Sequence, residues 1–399
     1  MKILLISPKI PYPPEDGHRK SIFGLIKYLS KRNHQIDLVA YRQNQNESDL
    51  DELKKLTNLF VLDVKTDNSP FGILQNIFSS VPYNLWKYNR SELKKFLKNY
   101  FQENKVDIVQ VTNAHMAWVI DELRNLTNAP VILREENLEM EIMRRFAENQ
   151  KNLFIKYYSV IQYKKFVKYE PMICGKFNLT VLMSKEDEQK LLAFNPDVKT
   201  KVIPVGVEES LLELVTVAKQ RFTLIHIGSL NWLPNLDGIR WFLNEIYPLV
   251  IEVIPEVKLY LYGGGDYTNL ELAAKIKSHV VLKGFVEDIW SEIRDKELAI
   301  VPLRIGSGIR VKILELLAAG KNILTTSLGA EGISVEDNRH LLIADSPELF
   351  AQRIVDFFRG GFDSDQLILN GKQFIKDHFV WDKIAEEFEK SFKKLIDKK

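Results

Sequence analysis

Short apolar runs alternate with amphipathic stretches along nearly the whole chain. Ile3–Ser7 reads as a buried strand, and the helical spacing of Ile22, Leu25, Ile26 and Leu29 predicts a helix over Ser21–Lys31. Ile36–Ala40, Val106–Val111, Val131–Leu133, Leu179–Met183 and Lys201–Val205 predict the remaining strands of this first series. A polar stretch, Pro204–Arg221, interrupts the pattern. A second series follows: Leu224–Ile227, Leu259–Tyr262, Val280–Leu282, Ala299–Val301 and Asn322–Thr325, with helices over Leu236–Ile254 and Arg310–Ala319 among them. Strand–helix alternation implies parallel sheets with right-handed crossovers, and two such series imply an α/β chain of two doubly wound domains. Ligands of such sheets sit beyond the carboxyl ends of the strands, so the cleft between two domains is the expected site. No repeat with a solenoid period is visible. From Gly360-Gly361 through Trp381 to Lys399 the pattern predicts two amphipathic helices.

Composition narrows this picture. A chain of 399 residues, 45 % apolar and 27 % charged, has a globular balance and room for two or three domains. Its 55 basic and 53 acidic side chains leave a net charge of +2, which offers no nucleic-acid footprint. The one cysteine, Cys174, excludes a disulfide framework and a cysteine zinc cluster, and suits a reducing, cytoplasmic setting. The leading apolar run, Ile3–Ile6, is too short for a secretion signal or a membrane span, so the expectation is a soluble or peripheral protein.

One segment breaks the even charge. Lys151–Lys176 holds six lysines and one acid, Glu170, interleaved with Phe154, Tyr157, Tyr158, Tyr163, Phe166 and Tyr169. That composition suits an interfacial helix on an anionic membrane or an anionic substrate. It equally suits a long helix with a solvated basic face and a buried aromatic stripe.

The strongest chemical signal is VPLRIGSGIRVKILELLAAGKNILTT, Val301–Thr326. It reads as a strand, a glycine loop (Gly306-Ser307-Gly308) and a helix carrying Arg310, Lys312 and Glu315. Glycines beside a helix start let backbone N–H groups approach an anion, and Arg304, Arg310 and Lys312 add cations around that point. A diphosphate is the natural ligand of such a set. Lys312 and Glu315 share one helix face, so a plain intrahelical ion pair is the alternative. The loop is not the dinucleotide fingerprint, whose third glycine would fall on Val311, and no Gly-Lys-Ser/Thr of a phosphate-binding P-loop occurs in the chain.

Taken in order, IHIGSLNWLPNLDGIRWF, VKLYLYGGGD, LKGFVEDIWSEI, the glycine-loop segment and GAEGI resemble the retaining glycosyltransferases of the GT-B fold, glycosyltransferase family 4. The first half fits too, through its Pro-rich loop ending at Asp16-Gly17, through LREENLEMEIMRR, and through VLMSKEDE and VIPVGVE. The resemblance implies two Rossmann-like domains facing across a cleft: 1–205 for the acceptor, 206–375 for the nucleotide sugar, and a 376–399 helix crossing back to the first. It implies transfer of a sugar from a nucleoside diphosphate sugar, with UDP or GDP as nucleotide, to a glycan or lipid-linked acceptor in cell-surface polysaccharide synthesis. No cofactor and no metal enter that scheme. A nucleotide-sugar 2-epimerase of the same fold and a non-catalytic partner subunit are the alternatives.

Residue by residue, the resemblance places Glu315 on the ribose; Arg310, Lys312 and His115 are the expected catalytic residues, with His115 standing later than the His that relatives carry after the fourth strand. Donor contacts fall on Gly17, Gly228, Ser229, Gly264, Gly265, Val286, Arg304, Gly306, Ser307, Gly308, Ile309, Arg310 and Glu315. Acceptor contacts are expected from His18, Asn113 and Glu136, which stands where relatives often have His; Glu135, Glu136 and Glu139 either touch the acceptor or form a solvated helix start. The chain also departs from the family pattern. Ser307 stands where a first glutamate is usual, and Ser229 and Pro234 stand where an Arg and a Lys usually meet the diphosphate. Arg310 and Lys312, at positions usually uncharged, are expected to compensate. Asp363-Ser364-Asp365 spells a metal-binding pair of another glycosyltransferase fold, but its position near the chain end reads as a helix cap. Gly263-Gly264-Gly265-Asp266 reads as a turn that lets the backbone approach the donor.

Overall fold

A computed structural model describes residues 1–42, 50–150, 152–215, 217–270, 272–306 and 308–397. The chain divides into two compact units, Met1–Gly206 with Trp381–Lys399, and Val207–Val380. The last boundary lies five residues beyond the one expected after residue 375, because the helix Ser364–His378 is unbroken there.

The first unit is built on seven parallel strands: β1 Lys2–Ser7, β2 Gln35–Arg42, β3 Asn58–Asp63, β4 Ile108–Thr112, β5 Val131–Glu135, β6 Leu179–Leu182 and β7 Thr200–Val202. Their order is β3-β2-β1-β4-β5-β6-β7. Helices cover both faces, so β1, β4 and β5 are buried almost throughout, including the polar Gln110, Arg134 and Glu135. Leu4, Ile6, Val109, Val111, Leu133 and Phe166 are part of the core on one side of the sheet. Two differences from the sequence pattern have simple causes. β3, not read as a strand, lies at the sheet edge and has no fully buried residue. β7 stops short of Val205 because Pro204 has no N–H for the ladder.

The second unit holds β8 Gln220–Ile227, β9 Lys258–Tyr262, β10 Val280–Gly284, β11 Lys296–Val301, β12 Asn322–Thr325 and β13 Leu342–Ile343, all parallel, in the order β10-β9-β8-β11-β12-β13. The helix expected over Leu236–Ile254 is three pieces: Leu233–Trp241, a π turn Phe242–Ile246, and Tyr247–Val253. Pro248 explains the break, since it cannot donate to the carbonyl four residues back, and the extra residue of a π turn absorbs the mismatch.

The returning helix, Trp381–Ile396, packs on the helix Gly17–Lys31 of the first unit. The Trp381 ring lies so close to Gly24 that a Cβ there would sit 2.2 Å from it, and one on Gly206 would sit 2.5 Å away. Only glycine at both positions admits the indole. In each sheet the strand order reverses once, between β1 and β4 and between β8 and β11. Ligand sites of doubly wound sheets form at the carboxyl ends of such switch points.

Candidate functional site

In the second unit, the exits of β8, β9 and β11 converge on the start of the helix Val311–Ala318. Lys312, in its first turn, reaches across to the end of β8. Its Nζ donates to the Ile227 carbonyl (2.7 Å) and to Asn235 Oδ1 (2.8 Å), while Asn235 Nδ2 donates to the Ser229 carbonyl (2.9 Å). A Cβ on Gly228 would lie 2.6 Å from Asn235 Nδ2 and 2.8 Å from Lys312 Nζ, so Gly228 is needed for this approach. The buried His226 beneath holds its Nδ1 3.1 Å from the Ile300 carbonyl. Burial and the Lys312 ammonium push its pKa down to about 3, which keeps the ring neutral.

The glycine turn after β9 presses on the same place. Gly263 has φ +133°, and a Cβ there would lie 2.3 Å from the Gly228 carbonyl oxygen. Gly264, by contrast, faces open space. On the β11 side, Gly306 (φ +133°) and Gly308 (φ +74°) shape the loop, and buried Arg310 curls back so that Nη1 donates to the Gly308 carbonyl. Two hollows of about 380 and 560 Å³ lie at the opposite end of this sheet, by Lys296 and by Phe222, remote from these loops.

In the first unit, polar side chains gather at the exits of β1, β4 and β5. Asp16 caps the helix Gly17–Lys31 by accepting from Arg19 N (2.9 Å), and Lys9 Nζ donates to its carboxylate (2.8 Å). His18, in the first turn, pairs through Nδ1 with Glu136 Oε2. Burial alone would raise the Glu136 pKa, but His18, Arg134 and Ser21 together hold it below the usual range. Asn113 has φ +71°, and its Oδ1 accepts from the His115 backbone N–H (3.0 Å) and pairs with His115 Nδ1. An amide oxygen only accepts, so Nδ1 carries the imidazole proton and Nε2 is left as an acceptor. Burial, aided by His18, Lys87 and Lys9, pushes His115 down to about 3, and the ring is neutral.

Beneath these lie buried carboxyls. Glu170 accepts from the backbone N–H groups of Glu139 and Met140 (2.8 Å each), capping the helix Glu139–Asn149. Glu139 Oε1 lies 3.9 Å from His115 Nδ1. Burial raises Glu139 to about 7 and Glu170 to about 8, and raises Glu135 as well.

Residues 221–359 match the family model described as Glycosyl transferases group 1. Over 393 residues the chain is 23 % identical to an uncharacterized 44.6 kDa protein in the cps region of Klebsiella pneumoniae, covering 95 % of this chain and 96 % of that one. Its fold matches sucrose-phosphate synthase from Thermosynechococcus elongatus with a TM-score of 0.76 at 15 % identity, over 100 % of both chains. It matches Anabaena HepE in complex with UDP with a TM-score of 0.69 at 14 % identity, over 99 % and 100 %. This is a glycosyltransferase of the GT-B fold. Its second unit is the part that matches group 1.

The glycosyltransferase brings together Gly228, Ser229, Gly264, Gly265, Gly306, Gly308, Ile309, Arg310, Lys312 and the half-buried Glu315 on loops and a helix at one end of the second sheet. Arg304 instead makes a two-bond pair with Asp237 (3.1 and 2.9 Å) and stacks over Trp241. Val286 sits in the loop after β10, two strands from β8. Ser307 lies outside the described residues. In the first unit, Gly17, His18, Asn113, His115 and Glu136 share one end of the sheet. Sequence reasoning missed Asn235, His226, Lys87 and Glu170 as parts of these clusters. Asn235 adjoins the departing Pro234, and Glu170 is the one acid in a lysine-rich helix; both were anomalies that could have been followed.

Proposed function

We propose that this glycosyltransferase moves a sugar from a nucleoside diphosphate sugar to an acceptor hydroxyl with retention at the anomeric carbon, in the making of a cell-surface polysaccharide or glycoconjugate. The observation that carries this reading is Lys312, whose ammonium stands at the exit of β8 beside Gly228. Ser229 and Pro234 bring no charge to that exit, and Lys312 supplies it from the neighbouring helix. Together with Arg310 and the positive end of the helix, it favours the charge that grows on a leaving diphosphate. Glu315, one turn on, accepts from the ribose hydroxyls. The acceptor proton passes to the leaving phosphate oxygen, and the neutral His115 orients the acceptor hydroxyl through Nε2. His18, Asn113 and Glu136 line the acceptor side. Cations take the place a divalent metal would otherwise fill. The UDP held by Anabaena HepE supports uracil as the base, and the relative from a cps region supports the polysaccharide role. Retention rests on the resemblance to the retaining family.

Calorimetric titration with UDP-, GDP- and ADP-sugars, followed by incubation with and without a lipid-linked acceptor, tests this. The expected result is tight binding of one nucleotide class, transfer only when acceptor is present, and a rate unchanged by EDTA. Epimer formed without acceptor assigns the chain to the 2-epimerases. Absence of donor binding leaves a non-catalytic subunit. Loss of transfer in EDTA, restored by Mn²⁺ or Mg²⁺, refutes the metal-free scheme.

A further inference from the structure

The lysine-rich segment is a helix, Leu153–Cys174, but its aromatics do not form one buried stripe. Phe166 is buried, while Leu153 (78 % exposed), Phe154 (89 %) and Tyr157 (72 %) stand out in the first two turns. A second exposed apolar set lies on the helix Pro70–Asn76 and just after it: Phe71 (68 %), Leu74 (61 %) and Phe78 (94 %). The two sets stand on segments of the first unit that pack against each other. Tyr83 N donates to Gln162 Oε1 (2.9 Å), Ser69 N donates to the Tyr83 hydroxyl (2.8 Å), and Lys165 Nζ donates to the Asn76 carbonyl (2.5 Å). The Tyr83 ring lies against Gly72, within the helix Pro70–Asn76.

The two segments carry charge of one sign. Residues 68–90 and 150–169 contain no Asp or Glu, whereas Lys156, Lys164 and Lys168 are exposed along the longer helix. We infer that the chain seats on an anionic lipid surface through this apolar ridge. Phenylalanine, leucine and tyrosine would enter the boundary between headgroups and acyl chains, and the lysines would face the anionic headgroups. A second copy of the chain fits the ridge poorly, because a two-fold contact sets its lysines against themselves. Among the described residues no helix is long and apolar enough to cross a membrane, so the contact is one of lying on the surface. This inference stands independently of the sugar-transfer reading.

The test is co-sedimentation of the full chain with phosphatidylcholine vesicles and with vesicles that also contain phosphatidylglycerol. Binding is expected to the second kind only and to weaken as salt rises. F78S combined with F154S should lower partitioning at least about tenfold, and L74S combined with Y157S should act in the same direction. Each of K156Q, K164Q and K168Q should lower it about fivefold. All these side chains are exposed, so thermal melting and UDP binding are expected to stay unchanged. Failure of the wild-type chain to bind anionic vesicles, or binding indifferent to the phenylalanine pair, overturns the inference. So does concentration-dependent self-association that the same pair abolishes, which would give the ridge to a second copy.

Discussion

Lys312 holds Ile227 and Asn235 in place and, in the function proposed above, also carries the charge offered to the donor, so its replacement tests phosphate against nucleoside. Losing one charge-assisted contact costs about 1.5–3 kcal/mol, or roughly 10- to 150-fold in affinity. Lys312→Met is expected to show that loss for UDP and almost none for uridine in paired titrations. Glu315→Ala should weaken both ligands alike, because the contacts proposed for it are to the ribose. Equal losses in Lys312→Met would make it a support of the β8 exit alone. On the other unit, Glu139 reports through pH. Burial raises its carboxyl to about 7, against the weaker opposing pull of Lys87, so the folded state keeps a proton that the unfolded chain releases above about 4.5. The stability this contributes is complete below pH 4.5 and is lost as pH rises through 7. Within that window the slope from this one group is about 1.4 kcal/mol per pH unit. Denaturant melts between pH 5 and 7 should therefore fall less steeply in Glu139→Gln than in the wild type. A parallel pair of curves would remove Glu139 as a proton holder.

At the scale of elements, the turns set how closely two strand exits approach. Gly263→Ala forces a side chain into a positive-φ position 2.3 Å from the Gly228 oxygen, while Gly264→Ala points a methyl into open space. The first should destabilise the second unit by more than about 1 kcal/mol and weaken UDP binding, and the second should leave the stability of that unit unchanged. Urea melts of the two variants decide this. The contrast also shows what the sequence made legible. The glycine turn and the alternation of strand and helix announced themselves as patterns, because a core buried on both faces of a parallel sheet requires continuous apolar runs. The partners of Lys312 were not legible. Ile227 offers a backbone carbonyl, which has no signature in a sequence, and Asn235 becomes a partner only because the loop after β8 brings the first turn of the helix Leu233–Trp241 back to the strand's exit. The pairing of Arg304 was hidden in the same way: its charge suits a diphosphate, and Asp237 takes two of its three nitrogens. The cap that Glu170 places on the Glu139 helix spans thirty-one residues of chain and follows no local spacing.

At the scale of the molecule, the second unit is one continuous stretch, Val207–Val380, whereas the first is closed by a helix that comes from the far end of the chain. That helix contributes Trp381, Ile384, Phe388 and Phe392, all buried, and the Phe388 ring lies 5.0 Å from the guanidinium carbon of the buried Arg134. Burying each such side chain is worth about 1.5–3 kcal/mol, so the four together amount to roughly 6–12 kcal/mol. The whole stability of a domain is about 5–15 kcal/mol. The helix therefore decides whether the first unit folds. A chain ending at Val380 is expected to keep a cooperative melt of the second unit and its UDP binding, and to lose that of the first. The converse follows from continuity: residues 207–380 alone should fold and bind UDP. A peptide of residues 381–399 added in trans to the shortened chain should restore part of the lost transition. Trp381→Ala, a milder version of the same cut, should cost about 3–5 kcal/mol in the first unit, since neither Gly24 nor Gly206 has a side chain to collapse into the space. An intact two-unit melt in the chain ending at Val380 would show that the Met1–Gly206 segment closes its own core. The returning helix would then be an attachment to a finished unit, and Gly24 and Gly206 would have to owe their lack of a side chain to something other than the indole.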